Sequence, residues 1–267
     1  MAISRVKLTD GAELSVHVDG SGPDLMLVTG LGGTASYWDA AVPDLAKSFR
    51  LIRFDQRGIA ASTRGTAATT IEQLARDAEA VLDHVGSKRC VLLGHSTGGV
   101  ILQAMALHDE TRIAGLILSG TWARPNRYMA ELFNARAEIL KVLPKEYSAM
   151  VGFLAYTADW LNANWAAFEA MRTGAPVTPA QQAVVAERIA AILAFDRSMD
   201  IHRITVPTLV QGAEDDLIAP AFPNRELAGR IKHAEVQMFP TGGHMYPITR
   251  TTAFVAEVVR FATRCKP

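Results

Sequence analysis

Gly94-His95-Ser96-Thr97-Gly98 stands directly after the apolar run Cys90-Val91-Leu92-Leu93 and directly before the apolar stretch Val100 to Leu107. A strand, a tight turn carrying a serine and then a helix is the context in which G-x-S-x-G carries chemistry rather than chance. Such a turn strains the serine backbone and leaves no room for side chains two residues away. Gly94 and Gly98 meet that demand because they have no Cβ. The hydroxyl of Ser96 then sits at a helix start, where free N–H groups and the helix dipole favour nearby negative charge. The stretch predicts a nucleophilic serine at the carboxyl end of a strand.

A serine hydroxyl is a weak nucleophile at neutral pH and needs a base, which in turn needs an orienting acid. On this kind of sheet the order along the chain is serine, acid, histidine. Thr241-Gly242-Gly243-His244 follows the predicted strand ending at Phe239, so His244 is the expected base. Gly212-Ala213-Glu214-Asp215-Asp216 follows the strand ending at Gln211. Asp215 lies three residues after Gly212, and Asp216 lies four before Pro220. Each spacing matches half of a G-x-x-D-x-x-x-P pattern, because the loop carries one extra residue. Asp215 is favoured as the acid on the argument that distance from the strand end governs reach. Asp216 stays as the alternative, and Glu214 lies closer to the strand. An oxyanion needs two preorganised donors. The N–H of Thr97 is one, and the glycine-rich loop Thr29-Gly30-Leu31-Gly32-Gly33 supplies the other through the N–H of Leu31.

The rest of the chain alternates strands and helices. Val6 to Leu8 and Leu14 to Val18 flank Asp10-Gly11, a hairpin signal. Leu25 to Val28, Leu51 to Phe54 and Ile113 to Leu118 are short apolar runs. Ile71, Leu74, Ala75, Ala78, Val81, Leu82 and Val85 mark one helical face, with Thr69 and Glu72 as a capping box and Gly86 as the stop. Continuous apolar runs joined by helices indicate a mostly parallel sheet covered on both faces. From Trp122 to Met199 the strand pattern stops, and Met and aromatic residues are dense. Thr178-Pro179-x-Gln181 marks a clear helix start there. The expected organisation is an α/β core of residues 1–121 and 200–267 with a helical cap, 122–199, inserted in it. Trp122, Tyr128, Phe153, Trp160 and Trp165 are the candidate pocket wall.

Twenty-seven basic and 27 acidic residues cancel, so no charge block points to nucleic acid or an anionic membrane surface. No apolar stretch reaches bilayer length, and the first residues carry no secretory signal. Two cysteines without a signal read as cytoplasmic, and a disulfide between Cys90 and Cys265 is not expected. The seven histidines form no H-x-x-x-H or H-x-H-x-D cluster, so neither a metal nor a cofactor is expected. No G-x-G-x-x-G or Walker lysine accompanies the glycine loop. His95 is expected to pack near the sheet, and Asp55 and Arg57 to organise a loop at the pocket rim. The partner is a small-molecule substrate, with monomer and homodimer both open.

Over nearly its whole length the chain resembles the α/β-hydrolase superfamily. The resemblance rests on Thr29-Gly30-Leu31-Gly32-Gly33 with Tyr37-Trp38, Asp55-Gln56-Arg57-Gly58, Gly94 to Gly99, Gly212 to Pro220, and Gly242-Gly243-His244. Many relatives carry His-Gly in place of Thr29-Gly30, and a second glycine in place of Ala60. The resemblance implies an α/β-hydrolase fold: an eight-stranded, mostly parallel sheet flanked by helices. Within it, the chain is most similar to small cap-bearing enzymes: aminoacrylate hydrolases, enol-lactone hydrolases, and metal-independent acyl-homoserine lactonases and esterases. Ala158-Asp159-Trp160 adds to the first of these likenesses. Three functions follow as expectations. The leading one is a cofactor-free serine hydrolase of a carboxylic ester or lactone, an N-acyl homoserine lactone among the candidates. The second is hydrolysis of a small C–N or enamine substrate of the aminoacrylate type, with Arg124, Asn126, Arg127, Asn134 and Asn162 as polar cap groups. The third, which some relatives illustrate, is a ligand receptor that keeps the triad.

Overall fold

The computed structural model describes residues 2–265. One sheet contains β1 (Ala2–Lys7), β2 (Glu13–Asp19), β3 (Asp24–Val28), β4 (Arg50–Phe54), β5 (Cys90–His95), β6 (Ile113–Ser119), β7 (Thr208–Ala213) and β8 (Glu235–Phe239). Their spatial order is β1-β2-β4-β3-β5-β6-β7-β8. β1 and β4 run antiparallel to β2, and every other neighbouring pair is parallel. The hairpin expected at Asp10-Gly11 is present, with the Leu8 N–H donating to the Ala12 carbonyl at 2.8 Å and Gly11 at φ 84°.

Parallel strands require crossovers, and helices provide them. The helices are α1 (Val42–Leu45), α2 (Ile71–His84), α3 (Thr97–His108), α4 (Arg127–Val142), α5 (Pro144–Ala155), α6 (Ala158–Ala163), α7 (Trp165–Thr173), α8 (Pro179–Ala194), α9 (Ala221–Arg230) and, after the last strand, α10 (Tyr246–Thr249) and α11 (Thr251–Ala262). Strand alternation sends Leu25 and Leu27 to one face, with Leu45 of α1 and Phe254 and Phe261 of α11. Met26 and Val28 point to the other, with Leu74 and Leu82 of α2, Ile101 and Met105 of α3 and Leu227 of α9. Helices α4 to α8 all fall between β6 and β7, where the strand pattern of the sequence stops. The capping box at Thr178 and Gln181 opens α8 as expected.

One helix start differs from the sequence reading. Thr70, not Thr69, caps α2, and its hydroxyl accepts the Gln73 N–H at 3.1 Å. Thr69 donates instead to Glu187 of α8 at 2.8 Å, and Glu72 pairs with Arg197. Long-range polar contacts thus outcompete a local cap. Cys90 and Cys265 are both free and buried. Among the described residues, no helix is long and apolar enough to cross a membrane.

Arg57 and Asp55 do organise the loop after β4. Asp55 accepts the Ala35 N–H at 2.8 Å and the Ala61 N–H at 3.2 Å. Arg57 is fully buried and makes a two-pronged pair with Asp77 of α2, both contacts at 2.6 Å. It also reaches Asp10 at 2.8 Å, which ties the first hairpin to α2. Removing one member of a buried pair strands the other, at about 3–5 kcal/mol. Arg57 keeps Asp10, so Asp77→Asn is expected to lose up to about that much stability in urea unfolding. Lys47→Met, which breaks the exposed Lys47–Asp44 pair, is expected to change stability by about 0.5 kcal/mol or less. Equal losses for the two variants would contradict this ranking.

Candidate active site

The serine turn is built by close packing. Ser96 has φ 56° and ψ −124°, a conformation that non-glycine residues rarely adopt. A Cβ on Gly94 would lie 2.4 Å from the Gly98 carbonyl oxygen, and one on Gly98 would lie 2.1 Å from that of Val28. Neither position accepts any side chain. The Ser96 N–H donates to the Ser119 carbonyl on β6 at 2.8 Å, which fixes the turn against the sheet. A Cβ on Gly30 would lie 2.9 Å from the Ser96 Cβ and 3.3 Å from its Oγ. The loop after β3 therefore passes directly beside the hydroxyl. The N–H groups of Leu31 and Thr97, the two expected oxyanion donors, have no hydrogen-bond partner among the described residues.

His244 is buried, and its Nδ1 lies 2.7 Å from Oδ2 of Asp216. The ring thus presents Nδ1–H to a carboxylate and keeps Nε2 for a second partner. Asp216 is 3% exposed, and its Oδ1 accepts the N–H groups of Ile218 and Ala219, each at 2.8 Å. The expectation that Asp215 carries the imidazole is corrected here. Asp215 accepts the Thr241 hydroxyl at 2.7 Å and the N–H groups of Gly243 at 2.9 Å and Gly242 at 3.1 Å. It builds the loop that presents His244 without touching the ring. Burial tends to raise its carboxyl, but the Thr241, Gly243 and Gly242 donors outweigh that and hold it below the usual carboxylate range. The physical reason for the swap is the anchoring of the acid. Asp216 is clamped by residues downstream of it, so its distance to Pro220 matters more than its distance to β7. Glu214 faces outward and pairs with Arg225.

His95 packs as expected, stacked on Tyr37 with ring centroids 5.3 Å apart and bonded to the Ser119 hydroxyl at 3.1 Å. It also lies 4.8 Å, centroid to centroid, from His244. Burial, and then the charge of His244, hold its imidazole well below the ordinary histidine value.

Ser96 and His244 line one cavity of about 600 Å³. Its floor comes from the loops after β3, β4 and β5, including Leu31, Ile59 and Tyr37. Its roof comes from α4, α5, α7 and α8, including Phe133, Val151, Met171 and Val184. The five aromatic residues expected in the wall do not line it. Trp122 is buried against Phe133 at 6.1 Å, and Trp160 stacks on Tyr156 at 4.3 Å. Phe153 and Trp165 both pack on Phe168 and are half exposed, and the Tyr128 hydroxyl donates to the Leu217 carbonyl at 2.5 Å. The polar residues expected in the cap, Arg124, Asn126, Arg127, Asn134 and Asn162, are likewise absent from the lining, where Arg136, Tyr147, Ser148 and Gln181 stand instead.

Arg188 of α8 was not visible in the sequence as a site residue. Its Nε donates to the Leu31 carbonyl at 3.0 Å, and its Nη2 to the Gly30 carbonyl at 3.2 Å and to Gln56 Oε1 at 2.5 Å. Gln56 in turn donates to the Thr29 carbonyl at 2.7 Å. The guanidinium thereby holds the backbone that carries the Leu31 N–H. Among the described residues, no group of three or more His, Cys, Asp or Glu side chains is placed to hold a metal ion.

The model of the alpha/beta hydrolase fold family matches residues 23–251, and the chain belongs to that family. It is 33% identical over 257 residues, 93% of this chain and 95% of the relative, to the "Putative carbamate hydrolase RutD" of Variovorax paradoxus. The enol-lactonase of Burkholderia xenovorans superposes with a TM-score of 0.88 at 29% identity, covering 97% of this chain and 100% of that one. A hydrolase from Pseudomonas aeruginosa superposes with a TM-score of 0.86 at 30% identity, covering 97% of each chain. The chain is a hydrolase of this fold.

Two predictions follow from the two aspartates and His95. Asp216→Asn is expected to lower kcat by roughly 10³–10⁴-fold with the fold retained, by analogy with loss of the orienting acid in other triads. Asp215→Asn is expected to cost stability first and activity less. Steady-state kinetics with parallel unfolding curves decide this, and the opposite order would return the acid role to Asp215. For His95, the unfolded chain takes up a proton near the ordinary value of 6.5 that the folded chain refuses. Stability is then full above that pH and falls as pH drops, by at most about 1.4 kcal/mol per pH unit until the folded value is reached. His95→Gln should flatten the fall between about pH 6.5 and 5.5 in urea titrations. An unchanged slope would contradict the buried neutral ring.

Proposed function

We propose that this chain is a cofactor-free serine hydrolase that cleaves a carboxylic ester or lactone through an acyl-enzyme. The observation that carries this reading is the His244–Asp216 contact in a cavity also lined by Ser96. Asp216 orients the ring and stabilises it when charged. Nε2 of His244 takes the proton of Ser96 as Oγ attacks the acyl carbon. The N–H groups of Leu31 and Thr97 receive the developing oxyanion, and the helix start of α3 adds its dipole. The imidazolium returns the proton to the leaving alkoxide as the C–O bond breaks. Water, deprotonated by the same nitrogen, then splits the acyl-enzyme, and Ser96 regains its proton. Residues 122–199 serve as a cap that shapes the acyl site from above. The mostly apolar lining suits a substrate with a hydrocarbon body.

A second reading has its own support. The RutD relative is named for a carbamate, so a carbamate is the second candidate substrate, with the same residues acting on its carbonyl.

A fluorophosphonate probe is expected to add once to the wild-type chain and not to Ser96→Ala, as read by intact mass. The same variant should lose roughly three or more powers of ten in turnover while keeping its unfolding midpoint. Labelling at another residue, or retained activity, would overturn the nucleophile assignment. A panel of esters, lactones and carbamates separates the two readings by the bond that is cleaved.

A further inference from the structure

Asn224 is the fourth residue of α9 and is fully buried. Asparagine is a poor choice inside a helix, because its side chain competes for backbone groups. A buried amide also brings two N–H donors and a carbonyl that all need partners. Asn224 finds them on the backbone of two other segments and of its own helix start. Its Nδ2 donates to the Ala219 carbonyl at 3.2 Å and to the Pro220 carbonyl at 3.1 Å, and its Oδ1 accepts the Thr121 N–H at 3.1 Å. The opposite amide orientation would set Oδ1 against two carbonyl oxygens and Nδ2 against an N–H, so the partners themselves fix the orientation.

The segments that meet at this amide both serve the site. The N–H groups of Ile218 and Ala219 clamp Asp216 Oδ1. Asn224 grips the same stretch by its carbonyls, one residue further on. Thr121 lies two residues past Ser119, whose carbonyl holds the Ser96 N–H at 2.8 Å. Between them, the Gly120 N–H donates to the Gln211 carbonyl of β7 at 2.8 Å. A Cβ on Gly212 would lie 3.1 Å from Asn224 Cγ and 3.3 Å from its Nδ2, so the glycine near the end of β7 leaves room for the amide. One side chain thus joins the strand end that braces the serine turn to the loop that carries the acid.

We propose that Asn224 is a positioning residue of the hydrolytic site: it sets residues 218–220 against the end of β6 and so fixes where Asp216 presents its second oxygen to His244. This deepens the hydrolase reading and rests on it for the reaction. Asn224 does not line the cavity and acts through Asp216. The contact at stake is the 2.7 Å approach of Asp216 Oδ2 to His244 Nδ1. A misplacement of about 1 Å at such a group costs roughly 10²-fold in rate. Release of the loop therefore lowers kcat, while the cap side of the cavity keeps its substrate contacts and with them KM.

The test is a double-mutant cycle with 4-nitrophenyl butyrate as substrate. In the otherwise wild-type chain, Asn224→Ala is expected to lower kcat by roughly 10- to 100-fold and to leave KM within about twofold. In the Asp216→Asn chain, where the orienting carboxylate is already gone, the same substitution should change kcat by less than about twofold. An unchanged kcat, or an equal loss in both backgrounds, would overturn the proposal. Thermal midpoints check folding. Asn224→Asp, which has the same shape but turns an oxygen toward the two carbonyls, takes over should Asn224→Ala fail to fold. Failure of both to fold would assign Asn224 to stability alone and overturn its positioning role. A proton spectrum supplies a readout that needs no turnover. The His244 Nδ1–H, held by the Asp216 carboxylate, should give a far-downfield signal that vanishes in Asp216→Asn and moves upfield in Asn224→Ala. A signal that stays in place in Asn224→Ala would again overturn the proposal. Should the wild type cleave no ester, lactone or carbamate while the signal still moves, the hydrolase reading falls alone and the placing of Asp216 by Asn224 stands.

Discussion

The site depends on one close approach, that of the first turn of α3 to the end of β3. Gly98 comes so near the Val28 carbonyl that any Cβ would overlap it, and Gly94 comes equally near Gly98. This contact forces the chain through Ser96 at positive φ and leaves the serine at the helix start. Such a residue costs about 1–3 kcal/mol. The cost is offset by α3 itself, whose residues from Thr97 to Ala106 are all buried. Val100, Ile101, Leu102 and Met105 each contribute on the order of 1.5–3 kcal/mol of burial, an upper bound given a compact unfolded state. The helix cannot turn about its axis without exposing an apolar face, so the serine cannot relax.

The adjacent aspartates show how one loop separates two tasks. Asp215 gathers the donors of Thr241, Gly242 and Gly243 and so fixes the backbone that leads into His244. Asp216 is enclosed, held by two N–H groups on one oxygen, and offers the other to the imidazole. The first is satisfied by neutral donors, a hydroxyl and two backbone N–H groups. The second faces the ring directly, with one oxygen in hydrogen-bond contact with Nδ1. A carboxylate shared between the two roles would weaken both.

These features were unequally legible in the sequence. The strand–turn–helix around Ser96 and the sheet that carries it are patterns with strict geometric demands, and they were readable. The choice between Asp215 and Asp216 was not, because it depends on where the loop is anchored downstream. The cavity wall was not readable either. Helical spacing tells which residues of α4 to α8 turn inward, but not whether inward means a neighbouring helix or an open space. Trp122 and Trp160 turned toward other side chains, while Phe133, Met171 and Val184 met the cavity. Thr69 failed as a cap because Glu187, more than a hundred residues away, offered its hydroxyl a partner.

Arg188 of the helical segment is a buried charge that finds its partners in backbone carbonyls. Burial lowers the guanidinium of Arg188 to about 10, which leaves it charged at neutral pH. Its charge is spread over carbonyl oxygens of the loop beside Ser96, so it acts as a brace between α8 and the Gly30–Leu31 backbone. That brace sets a condition on any opening of the segment. Lifting α8 would break three hydrogen bonds to a buried cation and also separate Glu187 from Arg64 and Thr69. Wholesale displacement of α8 would thus forfeit several buried polar contacts, and α5 to α7 are held to the core as well. Their polar ties include the Met245 N–H to the Ala155 carbonyl at 2.9 Å.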